Sequence, residues 1–165
     1  MFKFNFCFVF LSLFFIKTTA QTTDLSIVIE AQNTSNTAIS QVSIYQDFQY
    51  IITIINSGNA VNNATFSQSL NPNVTYINAL SFNNIGGASV VNDFNFVNNT
   101  VTGTIATMPS NSSVQIKVLV KAPPFPGGIA SNAIVFAPDG TSDTNSSNNT
   151  SIISIDITDL AIDFT

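Results

Sequence analysis

The sequence predicts an all-β protein, an antiparallel β-sandwich of about seven to nine strands. Three observations carry that prediction. Apolar residues recur with period 2, the apolar segments are strand-length, and clusters of Asn, Gly, Pro and Ser separate them at short intervals. No stretch shows a 3.6-residue period with helix caps.

The clearest strand is Ser113–Lys121. Val114, Ile116, Val118 and Val120 share one face, and Ser113, Gln115, Lys117, Leu119 and Lys121 share the other. Lysines on the wet face would also discourage edge pairing. Leu25–Glu30 is a second strand. Phe48, Tyr50, Ile52 and Ile54 form one face of a third, whose other face carries Ile51 and Ile55 and so reads as covered on both sides. Asn63–Leu70, Val74–Phe82, Ser89–Phe96, Thr100–Thr107, Ile129–Ala137 and Thr150–Thr158 complete the set, rich in the β-branched and aromatic residues that suit a pleated surface. The separators are Asn56–Asn59, Asn71-Pro72-Asn73, Gly86-Gly87, Asn98-Asn99, Pro109-Ser110-Asn111, Pro123–Gly128 and Pro138–Asn149. Ala31–Tyr45 is ambiguous between strand, edge segment and loop.

The N-terminus reads differently. Lys3 is followed by an apolar run, Phe4–Ile16, and by Thr18-Thr19-Ala20, a small-residue cleavage site with Gln21 next. That is the pattern of a secretory signal peptide. Thirteen helical residues would span only about 20 Å of a ~30 Å apolar layer, too short for an anchor. Cleavage between Ala20 and Gln21 would remove Lys3, Lys17, the one cysteine (Cys7) and seven of the 15 phenylalanines. About 145 residues remain, enough to bury roughly 68–70% of their unfolded surface without disulfides. They keep two lysines against nine acidic side chains, a formal charge of −7.

Composition excludes much chemistry. The chain of 165 residues has no His, no Trp and no Arg, and only 8% of its residues are charged. Imidazole bases, Ser-His triads and His metal sites are absent. An acidic chain without an arginine fork is not a nucleic-acid binder.

Several segments, in order, resemble a family of bacterial cell-surface immunoglobulin-like repeats, the DUF11-type conserved repeat domain. Asp24-Leu25-Ser26-Ile27 is similar to its opening strand, and Tyr50–Gly58 to its "Y-x-I-x-V-x-N-x-G" strand and turn. Ala64–Leu70 with Asn71–Tyr76 resembles "D-x-L-P-x-G-V-x-Y". Thr104–Pro109 with Ser113–Val118 resembles "L-x-x-G-x-x-x-x-I-x-V". Asn132–Val135 with Asp139–Thr150 resembles the closing "N-x-A-x-V…D-x-N-x-x-N-N" hairpin. The likeness spans Asp24–Thr158. Asn71-Pro72-Asn73 replaces Leu-Pro-x-Gly, Asn111-Ser112 stands where a turn glycine is usual, and Val101 lies near the place of the family's Trp. The resemblance implies an Ig-like sandwich used singly or in arrays on secreted or surface proteins, and no catalytic residues. Asp159-Leu160-Ala161-Ile162 echoes Asp24-Leu25-Ser26-Ile27. The expected organisation is a signal peptide at 1–20, a sandwich at 21–158, and a tail or stub of a following repeat at 159–165; the echo is equally open to chance.

Four groups of residues compete for a role. Asp139–Asn149 concentrates oxygen ligands of the kind Ca²⁺ takes, with Asp139, Asp143 and Asn145 as the best candidates. EF-hand spacing is absent, and the favoured reading is that these side chains cap turns. Paired carboxylates could hydrolyse glycosides, but the acids are scattered and Trp platforms are missing, so no enzyme is expected. N-x-[ST] occurs at Asn33, Asn63, Asn73, Asn98, Asn111, Asn145, Asn148 and Asn149; in a secreted eukaryotic protein these would be glycan acceptors on surface loops, but with so much Asn, Ser and Thr, chance is the favoured explanation. Ile51, Ile55 and Phe125 are either packed under neighbours, with Phe125 plugging one end, or a contact with another module.

The expectation is therefore an exported, non-catalytic spacer, stalk or adhesion-type module without cofactors. The runner-up is an extracellular module that recognises a glycan or protein through loops at one end, formed by Asn83–Ala88, Pro123–Gly128 and Asp139–Asn149.

Overall fold

A computed structural model of the protein describes Gln21–Asp159. The signal-peptide reading, Ala20 at the cleavage point and the proposed stub beyond Asp159 lie outside the described residues. The described chain is a β-sandwich of two sheets. In chain order the strands are β1 (Gln21–Thr23), β2 (Leu25–Asn33), β3 (Gln41–Ser43), β4 (Asp47–Asn56), β5 (Val61–Ser69), β6 (Thr75–Ile85), β7 (Ser89–Val97), β8 (Thr100–Met108), β9 (Ser112–Lys121), β10 (Gly127–Phe136), β11 (Thr141–Asp143) and β12 (Thr150–Thr158). One sheet has the order β2-β4-β9-β6, the other β3-β12-β10-β5-β8-β7, and β1 pairs with β11 beside them.

Every long strand foreseen is present, with ends shifted by up to three residues. The count exceeds seven to nine because β1, β3 and β11 are three-residue strands. These are too short to show a period, and β1 and β3 pair in parallel with distant partners. Ala31–Tyr45 resolves into the end of β2, a turn at Asn33–Thr37, a bridge from Ala38 back to Gln32, and β3. One expectation is corrected. β9 is not near an edge: it lies between β4 and β6, and the edges of its sheet are β2 and β6. Lys117 and Lys121 sit mid-sheet, Lys121 paired with Asp47 at 3.3 Å and Lys117 over the Phe82 ring at 5.1 Å.

The core is filled by residues of β2, β4, β5, β8, β9, β10 and β12, among them Ile27, Ile29, Phe48, Tyr50, Ile52, Ile54, Phe66, Ile105, Ile116, Val118, Ala133 and Ile155, with half-buried residues of β6 and β7 packed against them. Phe48 and Tyr50 meet edge to face at 5.2 Å. On one side of the sandwich, Tyr76 of β6 stacks on Phe96 of β7 at 4.3 Å and ties the two sheet edges together. On the other, the β2 edge donates the Ile29 N–H to Ser151 Oγ on β12.

Tyr50 is wholly buried and its hydroxyl has no hydrogen-bond partner. Burial pushes the phenol above its ordinary range, so it stays neutral. An unpartnered buried hydroxyl is a cost that phenylalanine would remove. Tyr50→Phe should raise unfolding stability by about 1 kcal/mol in chemical denaturation. A loss of stability would mean that the hydroxyl has a partner.

Asparagine explains the turns. Among the described residues, six non-glycine residues have positive φ, and five are Asn: Asn36, Asn98, Asn99 and Asn111 outside the strands, and Asn63 inside β5. Asn tolerates the left-handed region better than other side chains. Asn98 and Asn99, at φ 50 and 59, link β7 to β8 as the paired left-handed residues of a tight hairpin. Asn111, at φ 58, supplies the geometry for which the resembled family uses glycine.

Candidate functional surfaces

The ladder registers define two poles. At one, Asn56 pairs with Leu25 and with Ser112; at the other, Asp47 pairs with Lys121. The candidate loops divide between them. Asn83–Ala88 contains the end of β6, where Ile85 pairs with Ser113, and Asp139–Asn149 contains Asp143, which pairs with Thr23; both lie at the Asn56 pole. Pro123–Gly128 follows Lys121 at the opposite pole, where the Tyr45 N–H donates to the Pro123 carbonyl. The three therefore do not form one surface. Phe125 is 49% exposed and does not plug its pole.

The Asn56 pole is built around buried polar groups. Asn56 is fully buried. Its Oδ1 accepts from Thr23 Oγ1 and from the Gly58 N–H, both at 2.9 Å. Its Nδ2 donates to the carbonyls of Asn59 at 2.8 Å, Met108 at 2.9 Å and Pro109 at 3.3 Å. Gly58 has no room for a side chain: a Cβ there would lie 2.4 Å from the Asp24 nitrogen. The Asn56-Ser57-Gly58 signature thus has a mechanical cause. Asn fills the buried amide position, and Gly lets the incoming β1–β2 segment cross directly over the turn.

Asp143 belongs to the same junction. Its Oδ2 accepts from the Leu25 N–H at 3.0 Å and from Asn149 Nδ2 at 3.1 Å, and its Oδ1 accepts from the Asn145 N–H at 2.9 Å. Asn148 Nδ2 reaches Asp24 Oδ1 at 3.3 Å. Asp143 and Asn145 are thus brought together as a turn and a clamp on the entering strand. Asp139 lies four residues earlier, where the Thr141 N–H donates to Pro138. Among the described residues, no group of three or more Asp, Glu, His or Cys side chains could hold a metal ion.

The outer faces differ. On the four-stranded sheet, Asn36 Oδ1 accepts from Gln49 Nε2 and Lys117 Nζ, so the turn after β2 folds over that face. Ile51, next in line on β4 and paired with Lys117, is 3% exposed, whereas Ile55 at the far end of the strand is 38% exposed. The two residues therefore part company: one is covered, one is not.

The six-stranded sheet carries a depression of about 280 Å³ on its outer face, lined by Thr65, Phe66, Ser67, Asp93, Thr102, Gly103, Thr104 and Phe136. Thr65 pairs with Thr104 and Ser67 with Thr102 across β5 and β8, giving a two-by-two array of hydroxyls. Phe136, half exposed, stands opposite Thr65 at the end of β10. Asp93 rises on the far side from the irregular stretch of β7 between Val91 and Asn95. Asp93 is the one carboxylate in the lining, so the two-acid arrangement of a glycosidase is not present there. This site was missed in the sequence. Asp93 and Phe136 come from different strands, and only Thr65/Ser67 and Thr102/Thr104 leave a local trace, as outward hydroxyls in two alternating segments.

With the architecture in place, the likeness to known proteins is one of fold. No family model matches the chain, and no curated protein matches it. Among solved structures it is similar to the CARDB domain of PF1109 from Pyrococcus furiosus, with a TM-score of 0.53 at 15% identity, covering 87% of this chain and 100% of that one. It is similar to a non-cellulosomal cohesin from Archaeoglobus fulgidus (TM-score 0.53, 12% identity, 82% of this chain and 91% of that one). It also resembles the pilin BcpA of Bacillus cereus (TM-score 0.56, 12% identity), spanning 82% of this chain but 41% of that one. The protein is an Ig-like β-sandwich of the kind found in CARDB, cohesin and pilin modules. No helix among the described residues is long and apolar enough to cross a membrane.

Proposed function

We propose that the protein is an exported, non-catalytic structural module of adhesion type, a spacer that transmits load between its two poles. The observation that supports this is topological. The chain enters at the Asn56 pole, where Leu25 pairs with Asn56, and leaves at the opposite pole, where Ile157 pairs with Gly127. Tension between Gln21 and Asp159 would run along β2 and β12. It would load the nine-pair β2–β4 ladder and the eight-pair β12–β10 ladder in shear, so that many hydrogen bonds must fail together. Export through a signal peptide ending at Ala20, a module spanning 21–158 and the DUF11-type repeat identity belong to the same reading. Surface attachment, and use of the module in arrays, fit an entry and an exit at opposite poles.

Single-molecule pulling tests it. Attachment at Gln21 and Asp159 should need a higher unfolding force than attachment through Val28→Cys and Ile77→Cys, which pulls across the strands of one sheet. Forced unfolding reports the unfolding barrier, so equal forces in the two directions would remove the mechanical argument.

A further inference from the structure

We infer that the depression on the outer face of the six-stranded sheet binds a neutral saccharide, one pyranose unit of a surface glycan. This adds a ligand site to the module, and it lies on a sheet face rather than on the polar loops.

The lining has the three features that a sugar ring uses. Phe136 is 48% exposed at the rim and offers a flat apolar wall to the C–H face of a pyranose. The floor is the hydroxyl array Thr65, Ser67, Thr102 and Thr104. Neighbouring strands lie roughly 4.8 Å apart, and same-face residues on one strand roughly 6.8 Å, so the array matches the size of one ring. Asp93 closes the far side with two acceptor oxygens.

These polar groups are unspent. None of Thr65, Ser67, Asp93, Thr102 and Thr104 makes a side-chain hydrogen bond within the protein. Elsewhere on the same sheet such groups do pair: Ser89 bonds Thr107 at 2.8 Å, and Gln68 bonds Ser131 at 2.9 Å. Five convergent polar side chains that face solvent without a protein partner, beside an exposed ring, are the pattern of a small-ligand site, in which a few polar groups orient a ligand held on an apolar surface.

Charge sets the class. The single carboxylate and the excess of acids, nine against four lysines, repel uronic acids and other anionic sugars. A neutral ring uses Asp93 as a hydrogen-bond acceptor and the hydroxyls as both donor and acceptor. A depression of this size holds little more than one ring, so affinity should be in the millimolar range.

The experiment is saturation-transfer NMR and calorimetry on the full chain, using neutral cello-, xylo-, manno- and chito-hexaoses, with choline as a cationic probe. At least one hexaose should bind. Phe136→Ala and Asp93→Asn should each weaken that binding about tenfold or more, while Ile152→Ala, on the same face but outside the depression, leaves it unchanged. Both site variants remove exposed groups, so unaltered melting curves will show that the fold is intact. Three results would overturn the inference: no hexaose binding, binding indifferent to both variants, or binding of choline alone. None of the three touches the pulling experiment, so loss of the sugar site and loss of the spacer role are told apart.

Discussion

Replacing Asn56 with alanine should lower the stability of the folded chain by about 3–4 kcal/mol, a large share of what a domain of this size possesses. Alanine removes the acceptor for the Gly58 N–H and the Thr23 hydroxyl, and the donor to the Asn59, Met108 and Pro109 carbonyls. Thr23 retains the Asn59 carbonyl as a second partner at 3.2 Å, so its loss is partial. The Gly58 N–H and the Met108 carbonyl lose a partner in a place where Asn56 itself is 0% exposed. Each stranded buried group costs about 1–3 kcal/mol. The expected signature in urea is a lower midpoint with an unchanged slope, because the surface exposed on unfolding is the same. Asn56→Asp separates the two halves of the network. It keeps the acceptor for Gly58 and Thr23 but turns an oxygen toward three carbonyls, and so should be at least as damaging as alanine. A loss below about 1 kcal/mol for the alanine variant would show that water replaces the amide.

This junction also shows what was legible in the sequence. Asn56-Ser57-Gly58 stood out as part of a resemblance, but its cause, a buried amide beneath a crossing strand, lies in contacts with residues as distant as Thr23 and Met108. β8, β9 and β12 were readable because one face is buried and the other wet, which prints a period of 2 on the chain. β6 and β7 blur that period. Register shifts at Tyr76/Asn78, at Ser81/Asn83 and between Val91 and Asn95 put consecutive residues on one side. Turn chemistry was legible at Asn98-Asn99 and Asn111, where Asn does the work of Gly. It was not legible at Asn63, which takes φ 61 inside β5.

Function was harder to read for the same reason. The loops Asn83–Ala88, Pro123–Gly128 and Asp139–Asn149 are expected from the sequence to gather at one end, and only the strand registers assign them to opposite poles. Asp143 carries the oxygen-rich character that suggests calcium, yet its carboxylate is engaged by Leu25, Asn145 and Asn149. The depression owes its shape to a single sheet row and an irregular stretch of β7, neither of which is a sequence motif.

Gly103→Ala is the second substitution with a large expected effect, a loss of about 2–3 kcal/mol, for a reason opposite to that at Asn56. Nothing polar is removed; a methyl group is added where there is no room. Gly103 sits mid-strand in β8 opposite Phe66, and a Cβ there would lie 2.6 Å from Phe66 Cε1 and 2.9 Å from Phe94 Cδ1. Phe66 is 1% exposed and cannot swing away without disturbing the core. Phe94 is half-buried, meets Phe66 edge to face at 6.2 Å, and belongs to the same irregular stretch of β7 as Asp93. The strain should therefore be released through β7. A companion substitution identifies the mechanism. Phe66→Leu alone should destabilise by opening a cavity, but Gly103→Ala with Phe66→Leu should be more stable than the sum of the two losses by at least about 1 kcal/mol, because the methyl group occupies space the ring has left. Additive losses in the double-mutant cycle would mean that the backbone, not the ring, absorbs the methyl group. Since Asp93 adjoins Phe94 in β7, Gly103→Ala should also reduce hexaose binding, and restoring the space with Phe66→Leu should recover part of it.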